Sequence, residues 1–90
     1  MLKVGFIGAG TVGTALAVSL SRRGYPVLAV SDCSLISAQK LAGLVADCQV
    51  YHVAQEVADA AESIFITTPD DVIPQVASEV RWHEGQNVIH

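Results

Sequence analysis

At 90 residues the chain has material for one domain, and a domain of that size buries only about 60–65% of its unfolded surface. Its 51% apolar content excludes a disordered segment and suits a parallel sheet covered on both faces. A net charge of −4 with five dispersed Lys and Arg residues argues against nucleic acid, which rewards clustered cations. No apolar run reaches the roughly 18 residues of a membrane span.

The first element is a strand from Leu2 to Ile7. It runs into Gly8-Ala9-Gly10-Thr11-Val12-Gly13, glycines at G-x-G-x-x-G spacing. The three glycines serve different ends. Gly8 permits a tight strand-to-helix turn, Gly10 lets backbone approach a pyrophosphate, and Gly13 lets the helix pack closely on the sheet. The apolar opening behind Lys3 superficially resembles a secretory leader, but glycines at 5, 8, 10 and 13 interrupt it. A helix from about Val12 to Arg23 follows, with Val12, Ala15, Leu16 and Leu20 on one side, and Arg22, Arg23 and Gly24 stop it.

A second strand, Val27 to Val30, ends at Ser31-Asp32. Asp32 lies 19 residues after Gly13 (32 − 13), the offset of a carboxylate that accepts hydrogen bonds from the adenosine ribose. Ala38, Leu41, Ala42 and Val45 then mark a helix from about Leu35 to Ala46, with Ser34 as its N-cap. A short third strand near Gln49 to His52 and a helical turn around Gln55 to Ala60 follow. Ser63 to Thr68, bounded by Pro69, reads as a central strand. Asp70 or Asp71 is expected to cap the next helix, whose stripe is Ile73, Val76, Ala77 and Val80, with Pro74 in its first turn. Asn87 to His90 opens a fifth strand, and the 90 residues are expected to be a piece of a longer protein.

The alternation predicts an α/β, doubly wound parallel sheet of three αβα layers, with strand order 3-2-1-4-5 and truncation after the fifth strand. Residues 1–90 are then an incomplete dinucleotide-binding domain. Cys33 and Cys48 lack metal-like or C-x-x-C spacing and read as reduced thiols of a cytoplasmic protein. No metal site is expected.

Through Lys3 to Gly13 and Ile66-Thr67-Thr68-Pro69-Asp70-Asp71, the chain resembles the N-terminal Rossmann-like NAD(P)-binding domain of a broad reductase group. That group includes pyrroline-5-carboxylate reductase, the β-hydroxyacid dehydrogenases and the coenzyme-F420-dependent NADP reductases. The closest likeness is to a subgroup with a helical C-terminal domain of unknown function. The resemblance implies that Gly8, Ala9, Gly10, Thr11 and Val12 hold the pyrophosphate, and that Thr68 and Pro69 lie beside the nicotinamide-side ribose. It also places most of the catalytic groups, the substrate pocket and a homodimer interface in a C-terminal domain absent here, so no catalytic residue is assigned. NADP-preferring relatives often carry Arg after the second strand, where this sequence has Ser31-Asp32-Cys33.

The expected cofactor-binding set is therefore Gly8, Ala9, Gly10, Thr11, Val12, Gly13, Ser31, Asp32, Thr68 and Pro69. The cofactor is NAD or NADP, with NAD favoured by Asp32, unless that side chain is only an exposed turn residue. Thr67 reads as a β-branched strand residue. His52, His83 and His90 share no spacing, and Trp82 reads as cover for the sheet edge. The function expected is hydride transfer between a nicotinamide cofactor and a small-molecule substrate. The alternative is a non-catalytic domain that senses NAD or another adenine nucleotide.

Overall fold

Every β-branched or aromatic run of the sequence enters one parallel sheet. The computed structural model describes residues 2–90. In chain order the elements are β1 (Val4–Ile7), α1 (Thr11–Arg22), β2 (Val27–Ser31), α2 (Leu35–Leu44), β3 (Gln49–Val50), α3 (Ala54–Ala60), β4 (Ser63–Ile66), α4 (Ile73–Glu79) and β5 (Asn87–Ile89). The five strands lie in the order β3-β2-β1-β4-β5, all neighbours parallel. This is the predicted topology, with β1 at the centre.

Two apolar clusters, one on each face, hold the layers together. Val4, Phe6, Val27 and Val30 pack with Ala17 of α1 and with Ala38 and Leu41 of α2, while Ile7, Ala29, Ile64 and Ile66 pack with Val57 of α3 and, through half-buried side chains, with Ile73, Val76 and Ala77 of α4. Phe6 and Phe65 stack at 5.2 Å between ring centres, joining the two central strands. Gly5 explains how α3 comes so close to the sheet: a Cβ there would lie 2.7 Å from Val57 Cγ1 and 2.9 Å from the Ala61 methyl. A glycine inside a strand is the sequence signal for such an approach.

Several local expectations need correction. The inward face of α1 is Gly13 and Ala17, flanked by Leu16 and Leu20, whereas Val12 is 72% exposed and Ala15 also faces outward. The helix rolls toward its glycine because that is where it touches the sheet, so the apolar count placed the stripe about a residue too early. Neither Asp70 nor Asp71 caps α4. Its N-cap is Val72, with no side-chain hydrogen bond, because the carbonyl of Pro69 takes the N–H groups of Val72 (2.8 Å) and Ile73 (3.3 Å). β4 ends at Ile66 rather than Thr68, since Thr67 turns its hydroxyl back onto the glycine turn.

Other expectations hold. Ser34 caps α2 by accepting from the Ser37 N–H at 3.3 Å. Gly24 closes α1 at φ +89°, and Pro74 sits in the first turn of α4. The segment from α4 to β5 is strapped to α3 by the Gln86 amide, which donates to the Ala58 and Ala61 carbonyls (2.6 and 2.8 Å), and it is closed on itself by the Trp82 indole, which donates to Ala77 O of α4 (3.1 Å). His83 meets Asp59 at 2.6 Å. That contact, with a hydrogen bond from Gln55, holds the exposed Asp59 carboxyl below its usual range. Among the described residues, no helix is long and apolar enough to cross a membrane.

Candidate dinucleotide site

The carboxyl ends of parallel strands are where an open α/β sheet binds its ligands, at the point where neighbouring connections leave in opposite directions. Here that point lies between β1 and β4, and a groove of about 1090 Å³ opens over it. Its walls come from the glycine turn, the β2–α2 loop, the loop after β4 and the first turns of α1 and α4.

The glycine turn is built as its spacing implies, with a separate situation for each glycine. Gly8 has φ +109°, and a Cβ there would lie 2.7 Å from both Thr67 C and Thr68 N. A Cβ on Gly13 would collide with the Thr67 hydroxyl oxygen and lie 2.7 Å from Gly8 O. Gly10 differs: a Cβ would meet nothing within 4 Å, and its φ of −75° is open to any residue. The protein's own packing therefore requires glycine at 8 and 13 but not at 10. A glycine that the fold does not need, on the wall of a groove, fits a role toward a ligand.

Backbone groups in the turn divide in the same way. The Gly8 N–H donates to Ser31 O (2.8 Å), and the Thr14 N–H closes the first helical bond to Gly10 O (2.9 Å). The Ala9 N–H donates to Asp32 Oδ2 (2.6 Å), and Ala9 O accepts from the Thr14 hydroxyl (3.1 Å). The N–H groups of Gly10, Thr11 and Val12 have no acceptor among the described residues, and the same three residues line the groove. Unpaired N–H groups on the first turn of a helix, with its dipole behind them, favour an anion.

Of the residues expected from sequence, Gly8, Gly10, Thr11, Val12, Ser31, Asp32, Thr68 and Pro69 line this groove together. Ala9 and Gly13 do not: Ala9 is buried in the core and Gly13 lies on the inner face of α1. The Asp32 carboxylate accepts from the N–H groups of Ala9 (2.6 Å) and Ser34 (2.7 Å). It is thus a constituent of the turn as well as of the groove wall. The Thr68 hydroxyl is buried with no hydrogen-bond partner, an arrangement that ordinarily costs about 1–3 kcal/mol.

Sequence reasoning missed Thr67, whose hydroxyl donates to Gly8 O at 2.7 Å. No local signal marks it, because its partner lies 59 residues away. His52 and His90 border the groove, but His83 lies at the other end of the sheet.

Cys33 lines the groove and is exposed, whereas Cys48 is half-buried, and burial pushes its thiol up to about 11. Because the thiolate is the reactive form, iodoacetamide near pH 8 should label Cys33 and spare Cys48 in the folded protein. Peptide mass spectrometry with and without urea checks this; equal labelling of both thiols without urea would contradict the burial of Cys48.

A doubly wound parallel sheet with a glycine turn at its topological switch point defines the class of nucleotide-binding α/β domains. Within it, the chain belongs to the Rossmann-like domain family, whose profile matches residues 1–90. It is 37% identical over 85 residues to the 2-hydroxy-3-oxopropionate reductase of Escherichia coli, covering 93% of this chain and 26% of that protein. Among solved structures it superposes on an imine reductase from a Pseudomonas species with TM-score 0.82 and 26% identity, covering 97% of this chain and 31% of that one. It also superposes on the 3-hydroxyisobutyrate dehydrogenase of Mycobacterium tuberculosis with TM-score 0.77, covering 89% of this chain and 27% of that one. At 22% identity this last likeness concerns the fold alone. All three are oxidoreductases by name, and the chain spans about a quarter of the curated relative's length.

Proposed function

We propose that this chain is the nicotinamide-dinucleotide-binding domain of an oxidoreductase. The observation that carries the reading is Gly10, a glycine without a packing role beside three unpaired N–H groups on the groove wall. In this reading the N–H groups of Gly10, Thr11 and Val12 hold the pyrophosphate, while Ser31 and Asp32 stand toward the adenosine ribose. Thr68 and Pro69 lie toward the nicotinamide ribose, and the Thr68 hydroxyl gains the partner it lacks. The cofactor, when bound, supplies hydride exchange at nicotinamide C4 with a small-molecule substrate. Polypeptide beyond residue 90 supplies the substrate groups and a homodimer interface, and the whole works in the cytoplasm.

NAD is favoured over NADP. A 2′-phosphate brought to about 4 Å from the Asp32 carboxylate meets roughly 4 kcal/mol of repulsion per charge pair at an effective dielectric near 20. The carboxylate has about four acceptor positions, so its bonds to Ala9 and Ser34 leave room for ribose hydroxyls.

Calorimetric titration with NADH and NADPH tests the reading. NADH should bind more tightly, and its binding should slow alkylation of Cys33. Absence of binding by either cofactor at millimolar concentration would refute the proposal, and tighter binding of NADPH would refute the part assigned to Asp32.

A further inference from the structure

One peptide group of the glycine turn is gripped at both polar ends by side chains from the residues that directly follow the strands flanking β1. Its carbonyl, Gly8 O, accepts from the Thr67 hydroxyl at 2.7 Å. Its N–H, on Ala9, donates to Asp32 Oδ2 at 2.6 Å. Thr67 follows β4 and Asp32 follows β2, the two neighbours of β1 in the sheet.

We propose that Thr67 is a positioning residue for the pyrophosphate turn, clamping the Gly8–Ala9 peptide together with Asp32; this rests on the dinucleotide reading above. A trans peptide is a rigid plane, so fixing its carbonyl and its N–H fixes its rotation about the chain. That rotation sets where the following N–H groups of Gly10, Thr11 and Val12 point. Without the grips, glycine at position 8 leaves the plane free to turn, because glycine accepts both signs of φ. The grip from Asp32 is charge-assisted and the stronger of the two. The grip from Thr67 is neutral, and Gly13 leaves it room.

A neutral hydroxyl that orients the turn cannot distinguish NADH from NADPH. Removing it should weaken every pyrophosphate ligand by a common factor, whereas loss of a ribose contact would be selective. The test uses the full-length protein, its Thr67→Val and Thr67→Ser variants, and titration with NADH, NADPH and ADP. Thr67→Val should bind all three about tenfold more weakly, and Thr67→Ser, which keeps the hydroxyl, should stay within about twofold of the parent. Parent-like binding by Thr67→Val, loss confined to one ligand, or equal loss in both variants would overturn the clamp. Amide hydrogen exchange at Ala9 in the ligand-free protein separates the two ideas. Thr67 does not touch that N–H, yet Thr67→Val should speed its exchange through the shared peptide. If the parent binds none of the three ligands, the cofactor reading fails by itself, and an unchanged Ala9 rate in Thr67→Val then overturns the clamp as well.

Discussion

Gly8→Ala is expected to lower the thermal midpoint by about 8 °C or more. Two effects combine at one atom. The backbone sits at φ +109°, where an L side chain costs about 1–3 kcal/mol. The added methyl would also press on the Thr67–Thr68 backbone at 2.7 Å, and such overpacking costs about 1–3 kcal/mol more. A domain of this size loses roughly 4–8 °C per kcal/mol and has only about 5–15 kcal/mol in all. Gly43→Ala is the control: it lies in α2 with nothing within 4 Å of a new Cβ, so it should gain up to about 1 kcal/mol from helix propensity. Calorimetric melting of the two variants decides the matter, and a Gly8→Ala protein that melts with the parent would show that the turn relaxes at little cost.

Gly10→Val should do the reverse, keeping the fold and losing the ligand. Its φ of −75° and ψ of −166° suit a β-branched residue, and no protein atom lies within 4 Å of the new Cβ. The isopropyl group would instead project into the space assigned to the pyrophosphate. NADH affinity should fall at least about 100-fold, equivalent to roughly 2.7 kcal/mol, with a melting midpoint close to the parent's. Titration and a thermal melt of the same sample give both answers. A folded Gly10→Val protein that binds NADH like the parent would make the turn purely structural.

The contrast between these glycines shows where sequence reasoning reached and where it stopped. Order and kind of the elements were legible because each strand is a β-branched run bounded by Gly, Pro or Asp, and because parallel neighbours demand helices between them. The groove was legible because a glycine turn at the end of a first strand has a fixed place in such a sheet. Finer assignments failed where the deciding partner is distant or silent. Val12 looked like a core residue because the true contact point of α1, Gly13, carries no apolar side chain to count. Asp70 and Asp71 looked like caps because a carbonyl, that of Pro69, leaves no trace in composition. Thr67 and Asp32 reach the turn from 59 and 23 residues away, and spacing rules describe neighbours along the chain, not across the sheet.

The two walls of the groove differ in how firmly they are anchored. The glycine turn is fastened to β2 and β4, and α1 is seated through buried Gly13 and Ala17. Helix α4, across the groove, has seven residues, none of them buried, and no side-chain cap. Elements with few buried contacts open at free energies well below that of global unfolding. The domain therefore sets a stiff jaw against a compliant one: on the proposed reading, fixed donors grip the phosphates while the opposite wall yields to molecules of different girth, without loosening the sheet that carries both.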